Sequence, residues 1–546
     1  MATAGAAVTE VLVEHGVDRI YALAGESFLG VLDAMRNEPR IDLVTVHHEG
    51  SGGFMAVGDA RLTGKLGVLM VSRGPGATNA AIALHTAKDD AVPMCLIVGQ
   101  VGRKFLRRDG FQELNYANVF GDISKWVVEI ADPARTRELL ARAIQVACSG
   151  TPGPVVVVLP EDMQAEDAGN LPLPPAYRRP YSAPDAGALD DVAGMLAKAE
   201  RPLLIVGGEL AGDAGRAALL RCARAWEVPV TVSFRRHDLF PNADPLFAGD
   251  LGLQTTKEQI AAFQESDLII AVGTRLGDLS TQGYTFPDSP KPRQAFVHVY
   301  DDAAVIGRHF APDIGLVCDA TQFVEQLADR ASAAARRADR APWAKRLRAL
   351  REALTIWKPK RADDGIVFGN VITALGKRLA DDAIVVLDAG MAAALSYKYI
   401  EWKSSQRLLA PITGSMGFGI SAAIAAALRY PGRQVILIAG DGGFLMSCAE
   451  LALVTERRLP IRFLVANNQS YGVIRLHQED WYGPLDHIGT DLSTPDFAML
   501  ARSFGLEADV VTAEENVEAA LDKLLQADGA ALAEFKTSLY AQLPPR

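Results

Sequence analysis

Short apolar runs rich in Val, Ile and Leu recur along the chain, and between them apolar residues return at helical spacing. In the first third the runs lie at 43–46, 66–71, 94–98 and 154–159. The middle carries them at 202–206, 228–233, 268–272 and 295–299, and the last third at 383–387, 435–439, 461–466 and 531–535. Strands that alternate with helices build parallel sheets covered on both faces. The pattern predicts an α/β protein of three doubly wound parallel-sheet domains, at 1–165, 191–328 and 363–546. Residues 166–190 read as a linker, because Pro172, Pro174, Pro175, Pro180 and Pro184 stop both helix and sheet. Residues 329–362, rich in Ala, Arg and Lys, read as a second linker built on a solvated amphipathic helix, in preference to a cationic patch.

Composition narrows the function classes. At 546 residues, 49% hydrophobic and 22% charged, the chain is too long for one small module and too apolar for disorder. A net charge of -11 supplies no field for a nucleic acid or an anionic membrane, so neither is expected as a partner. The first helical pattern includes Glu10, Glu14 and His15, unlike a signal peptide, and no apolar run reaches the roughly 20 residues of a membrane span. Cys95, Cys148, Cys222, Cys318 and Cys448 are scattered and without CxxC spacing. Reduced thiols and a cytoplasmic location are expected.

The chemistry concentrates in residues 435–473. An apolar strand ends at Gly440-Asp441-Gly442-Gly443, a helical stretch follows, and a second strand ends at Asn467-Asn468. A right-handed crossover puts both strand ends on one edge, so Asp441 and Asn468, 27 positions apart, face one crevice. A carboxylate and an amide oxygen are hard ligands suited to Mg²⁺ or Ca²⁺, with room left for phosphate oxygens and water. The glycines let backbone N–H groups approach a diphosphate.

GDG followed by NN resembles the metal–diphosphate motif of the thiamine-diphosphate-dependent enzymes, in the group that contains acetolactate synthase, 2-oxo acid decarboxylases and pyruvate oxidase. The resemblance runs the length of the chain. It implies a pyrimidine-binding first domain, a nucleotide-binding-like, Rossmann-like middle domain and a diphosphate-binding third domain. It further implies Mg²⁺ held by the Asp441 and Asn468 side chains and the Ser470 carbonyl, with Gly440, Gly442 and Gly443 on the diphosphate.

The same resemblance assigns Glu49, in HHEGSGG, to the pyrimidine ring, where a carboxyl group promotes the imino tautomer that activates the cofactor. His47 replaces the family's usual Arg. In TGSMGFG (413–419), Met416 matches the apolar wedge that bends the cofactor and Gly414 the carbonyl that accepts its amino proton; read alone, the segment is a glycine-rich helix entry. SRGPGATN (72–79) and DGFQELN (109–115) are similar to acetolactate synthase, and Gln112 matches a glutamine near the cofactor there; its plain alternative is a surface loop residue.

The resemblance also has gaps. Nine positions after the second Asn, where substrate-selective acetolactate synthases carry Trp, stands His477, read as a substrate contact or a solvated helix residue. Ser72 falls where benzoylformate decarboxylase carries His, and the paired histidines of pyruvate decarboxylase are not recognisable. The RFDDR of flavin-binding members is replaced by Arg275-Leu276-Gly277-Asp278-Leu279, which counts against FAD more than for it.

The implied activity is carboligation: a 2-oxo acid loses CO₂ and the resulting enamine adds to a second carbonyl. The alternatives are a non-oxidative 2-oxo acid decarboxylase or aldehyde lyase, and, from another class, a non-catalytic ligand-binding relative. The implied assembly is a homodimer or homotetramer, with the cofactor between the first domain of one subunit and the third of another.

Overall fold

The computed structural model describes residues 2–331, 339–483 and 487–541. Among them lie three six-stranded sheets. The first contains β1 (Arg19–Ala22), β2 (Asp42–Thr45), β3 (Gly67–Val71), β4 (Met94–Gln100), β5 (Trp126–Glu129) and β6 (Pro154–Pro160), ordered β2-β1-β3-β4-β6-β5. The second contains β7 (Pro202–Val206), β8 (Val230–Val232), β9 (Phe247–Asp250), β10 (Leu268–Val272), β11 (Ala295–Val299) and β12 (Ile314–Leu316), ordered β12-β11-β10-β7-β8-β9. The third contains β13 (Ile384–Leu387), β14 (Arg407–Leu409), β15 (Val435–Gly440), β16 (Ile461–Asn467), β17 (Glu507–Val511) and β18 (Ala531–Lys536), ordered β14-β13-β15-β16-β18-β17.

The strand pairs are parallel, with registers such as Val68↔Cys95 and Ile438↔Leu464. Central strands β3, β4, β6, β7, β10 and β13 are buried at every residue, which is why they read as unbroken apolar runs. The twelve runs seen in the sequence are all strands; β1, β5, β9, β12, β14 and β17 come in addition. Five of these six lie at sheet edges, where one side meets solvent or a helix and the apolar run is diluted.

By contact density the chain forms two compact units. One is Met1–Arg179 with Ile384–Ala393 and Leu409–Leu539, carrying the first sheet and nearly all of the third; the other is Pro180–Ala383 with Ala394–Leu408 and Tyr540–Arg546. Residues 171–185 carry no helix or strand. Of the second linker, 332–338 lie outside the described residues, while Ala341–Thr355 is a helix that buries Trp343, Leu347 and Arg351 along one stripe. No helix among the described residues is long and apolar enough to cross a membrane.

Within the first unit, the helix Glu49–Thr63 lies along the helix Phe418–Arg429. Phe54 and Phe418 meet edge-to-face at 5.6 Å between centroids, a geometry worth about 0.5–1.5 kcal/mol beyond area burial. At Gly58 an added β-carbon would sit 3.2 Å from the Ala422 Cα, so small residues set how closely the helices approach. Arg429 closes the contact with an ion pair to buried Asp59. The first and third sheets thereby share one apolar core.

Candidate active site

Strand β2 ends at Thr45, and the chain then turns into the helix that Glu49 opens. His48 is its N-cap: the ring Nδ1 accepts from the Gly50 N–H at 3.0 Å, which places the ring proton of a neutral imidazole on Nε2. Glu49 is buried, and its Oε2 accepts from Asn79 Nδ2 at 2.9 Å. The other oxygen borders the turn 74–76. A β-carbon on Gly76 would lie 3.1 Å from Glu49 Oε1, and one on Gly74, whose φ is +48°, would lie 2.5 Å from the Gln112 carbonyl oxygen. Glu49 and Gln112 therefore flank the same glycine turn, although Gln112 itself is exposed on its loop. Ser72, at the end of β3, hydrogen-bonds Ser27 at 3.0 Å.

The third sheet holds the other cluster. Register Gly440↔Ala466 aligns the ends of β15 and β16, and Asp441 begins a short helix directly after β15. Asp441 Oδ1 accepts from the Gly442 N–H at 2.8 Å and Oδ2 from the Gln469 N–H at 2.7 Å, so its carboxylate spans both strand ends. Burial pushes the Asp441 carboxyl above the ordinary aspartate range, and these backbone N–H groups oppose the shift. Asn467 donates to buried Glu534 at 2.6 Å, and the pleat turns Asn468 the opposite way. Asn468 Oδ1 accepts from the Ser470 N–H at 3.0 Å, and the Ser470 carbonyl accepts from Gly472 at 2.8 Å; each oxygen retains a second lone pair.

A divalent cation fits this donor set. Asp441 is a buried carboxyl group whose partners are neutral N–H groups, and no Lys, Arg or His among the described residues pairs with it. Nothing lies within 4 Å of where a Gly440 β-carbon would be, which leaves open space beside the turn. No group of three or more His, Cys, Asp or Glu side chains among the described residues is arranged to hold a metal. An ion bound here would rely on the mixed carboxylate, amide and carbonyl set, completed by phosphate and water oxygens.

Two residues that sequence reasoning passed over hold these clusters in place. Asp388, buried at the end of β13, accepts from Gly417 N–H at 3.1 Å and Gly419 N–H at 2.8 Å, anchoring the loop that carries Gly414 and half-buried Met416. Its signal was a carboxylate and a glycine, Asp388-Ala389-Gly390, after an apolar run, the same punctuation that marked Asp441. Glu450, fully buried, accepts from the backbone N–H groups of His47 and His48; no local pattern announces it. His477 lies in the helix Gly472–Tyr482, half-buried and stacked on Trp481 at 5.3 Å.

Three coenzyme-linked segments emerge when the chain is compared with known proteins. Residues 2–119 match the N-terminal TPP binding domain of thiamine pyrophosphate enzymes, 189–327 their central domain and 388–535 their C-terminal TPP binding domain. The chain belongs to the thiamine pyrophosphate enzymes. It is 32% identical to the acetolactate synthase large subunit of Parasynechococcus marenigrum, over 99% of this chain and 89% of that one. It is 30% identical to the large subunits of acetolactate synthase isozyme 2 (96% of this chain, 93% of that one) and isozyme 1 (98% and 95%) of Escherichia coli.

Proposed function

We propose that the protein is a thiamine-diphosphate- and Mg²⁺-dependent carboligase that decarboxylates a 2-oxo acid and transfers the remaining acyl unit to a second carbonyl compound. The observation that carries this reading is the pairing of a buried, hydrogen-bonded Glu49 on one sheet with the Asp441–Asn468–Ser470 donor set on another, in a chain similar to acetolactate synthases over its whole length. When bound, the cofactor supplies a nucleophilic carbon that takes up the 2-oxo acid and stabilises the charge left as CO₂ departs.

The residues divide the remaining work. Glu49 holds the proton exchanged with the pyrimidine ring, and Asn79 keeps its carboxylate aimed. Asp441, Asn468 and the Ser470 carbonyl would hold the metal, and the glycine turn 440–443 at the helix start would receive the diphosphate, with the Gly442 N–H donated to Asp441. Met416 and the Gly414 carbonyl, on the loop tied down by Asp388, set the cofactor's bend, a proximity effect worth several kcal/mol in such reactions, or about 7–11 at best. Gln112 and His477 contact substrate from the first and third sheets.

FAD is less favoured than thiamine diphosphate and Mg²⁺ alone, because Arg275-Leu276-Gly277-Asp278-Leu279 stands where flavin-binding members carry RFDDR. The working assembly is a homodimer or homotetramer in a reducing cytoplasm. The scattered cysteines without CxxC spacing support the compartment; Phe111 beside Gln112, and Trp481 and Tyr482 near His477, exposed by 74%, 71% and 74%, support the interface.

Mass spectrometry of products from pyruvate, with and without added aldehydes, tests the reading. A 2-hydroxy ketone or acetolactate supports it; CO₂ with free aldehyde alone replaces it with a decarboxylase.

A further inference from the structure

The segment that supplies Glu49 follows an edge strand. β2 lies at the border of the first sheet, hydrogen-bonded on one side to β1, with Val46 N–H donating to Ala22 as the last rung at 3.0 Å. His47 and His48, the next two residues, have left the ladder, so their N–H groups need another acceptor. Both donate to Glu450 Oε1, at 3.0 Å each, and Glu450 Oε2 lies 3.3 Å from His47 Nδ1.

Glu450 opens the helix Leu451–Glu456, and the residue that closes it reaches the other end of the same strand. Arg457 donates from Nη1 to Asp42 Oδ1 at 3.0 Å and from Nη2 to the Leu43 carbonyl at 3.2 Å. One short element, Glu450 to Arg457, thus grips β2 at its first residues and just past its last. The intervening side chains Leu451, Leu453 and Val454 are fully buried, so the element is fixed in its own core.

We infer that Glu450 is a positioning residue for Glu49: by accepting the His47 and His48 amides it sets where β2 ends and therefore where the Glu49 carboxylate stands. The inference rests on Glu49 being the residue that activates the cofactor. It needs the reach and acceptor oxygen of the Glu450 side chain and not its charge, because the bonds that count run to two neutral N–H groups. Glu450→Gln retains both; Glu450→Asp keeps the charge but falls one methylene short.

The test compares E450Q, E450D and E49Q by two readouts. Amide hydrogen exchange followed by mass spectrometry on the cofactor-free protein reports the His47–His48 backbone directly. Hydrogen–deuterium exchange at the cofactor's reactive carbon, with cofactor affinity measured alongside, reports the consequence. Expected are lost amide protection at 47–48 and carbon exchange slowed about 10²-fold in E450D, the scale of an ångström misplacement. E450Q should stay within about threefold of wild type in both, and thiamine diphosphate affinity should change less than about threefold in either.

Unchanged amide protection in E450D overturns the inference, as does a folded E450Q whose carbon exchange is slowed about 10²-fold against wild type, whether or not E450D is recovered. If E49Q itself leaves carbon exchange untouched, the role of Glu49 fails, a result distinct from failure of the clamp. A purely structural role for Glu450 would lower stability and cofactor affinity together without separating E450Q from E450D in carbon exchange.

Discussion

Asp388 stands directly against Gly443: a β-carbon added there would fall 2.7 Å from Asp388 Oδ1. The same carboxylate holds Gly417 and Gly419, so the turn proposed to receive the diphosphate and the loop bearing Met416 share one buried anchor. Gly443→Ala should therefore disturb both. Overpacking of this kind costs about 1–3 kcal/mol; borne by the cofactor-binding geometry, it weakens thiamine diphosphate affinity about 5- to 150-fold in a fluorescence titration. An affinity within twofold of wild type would show that the turn and the loop move independently.

At Gly76 the clearance concerns Glu49 itself, since the added β-carbon would lie 3.1 Å from Oε1. Gly76→Ala is expected to shift the carboxylate and slow exchange at the cofactor's reactive carbon while the fold persists. Glu49→Gln should slow it by about 10²- to 10⁴-fold, the usual weight of a proton-transfer group. Quenched-flow exchange measured by NMR checks both variants.

Asp441 is the one carboxylate in the proposed metal set. Asp441→Ala should weaken thiamine diphosphate binding strongly at limiting Mg²⁺ and less at saturating Mg²⁺, and chelation of the wild-type protein should mimic the variant. A cofactor affinity indifferent to Mg²⁺ would remove Asp441 from its assigned role.

Two disabled variants decide where the sites are built. If each site takes Glu49 from one subunit and Asp441 from another, mixed E49Q and D441A subunits form hybrids in which one of two sites is intact. Random reassociation after gentle dissociation should restore about a quarter of wild-type activity. No recovery among verified hybrids would place both residues of a site in the same chain.

The cysteines should be nearly silent in the native protein. Burial pushes the thiols of Cys95, Cys222 and Cys318 up to about 12 and Cys148 to about 11, and raises half-buried Cys448 less far. At pH 8 a thiol with pKa 12 is about 10⁻⁴ ionised. Titration with an aromatic disulfide should modify Cys448 first and all five only after denaturation.

Much of this fold was legible because its central strands are covered on both faces, so each appears as an unbroken apolar run such as 94–98 or 435–439. Edge strands β5 and β17 were hidden because few of their residues are fully buried and exposed positions such as Glu129 and Glu507 interrupt the apolar run. β1 escaped for another reason: four residues beginning with Arg19 are too few to establish a period.

Local sequence also determined the metal-site candidates, because Asp441 and Asn468 sit at the ends of adjacent parallel strands and a βαβ crossover leaves them no other edge. Tertiary structure alone decided what holds them and what holds Glu49. Asp388 finds Gly417 and Gly419 across 29 and 31 positions, and Glu450 finds His47 and His48 across 403 and 402. Such bonds leave no periodic trace in the chain. A backbone N–H outside a ladder accepts any well-placed oxygen, and only the packing of the first and third sheets onto one core brings that oxygen within reach.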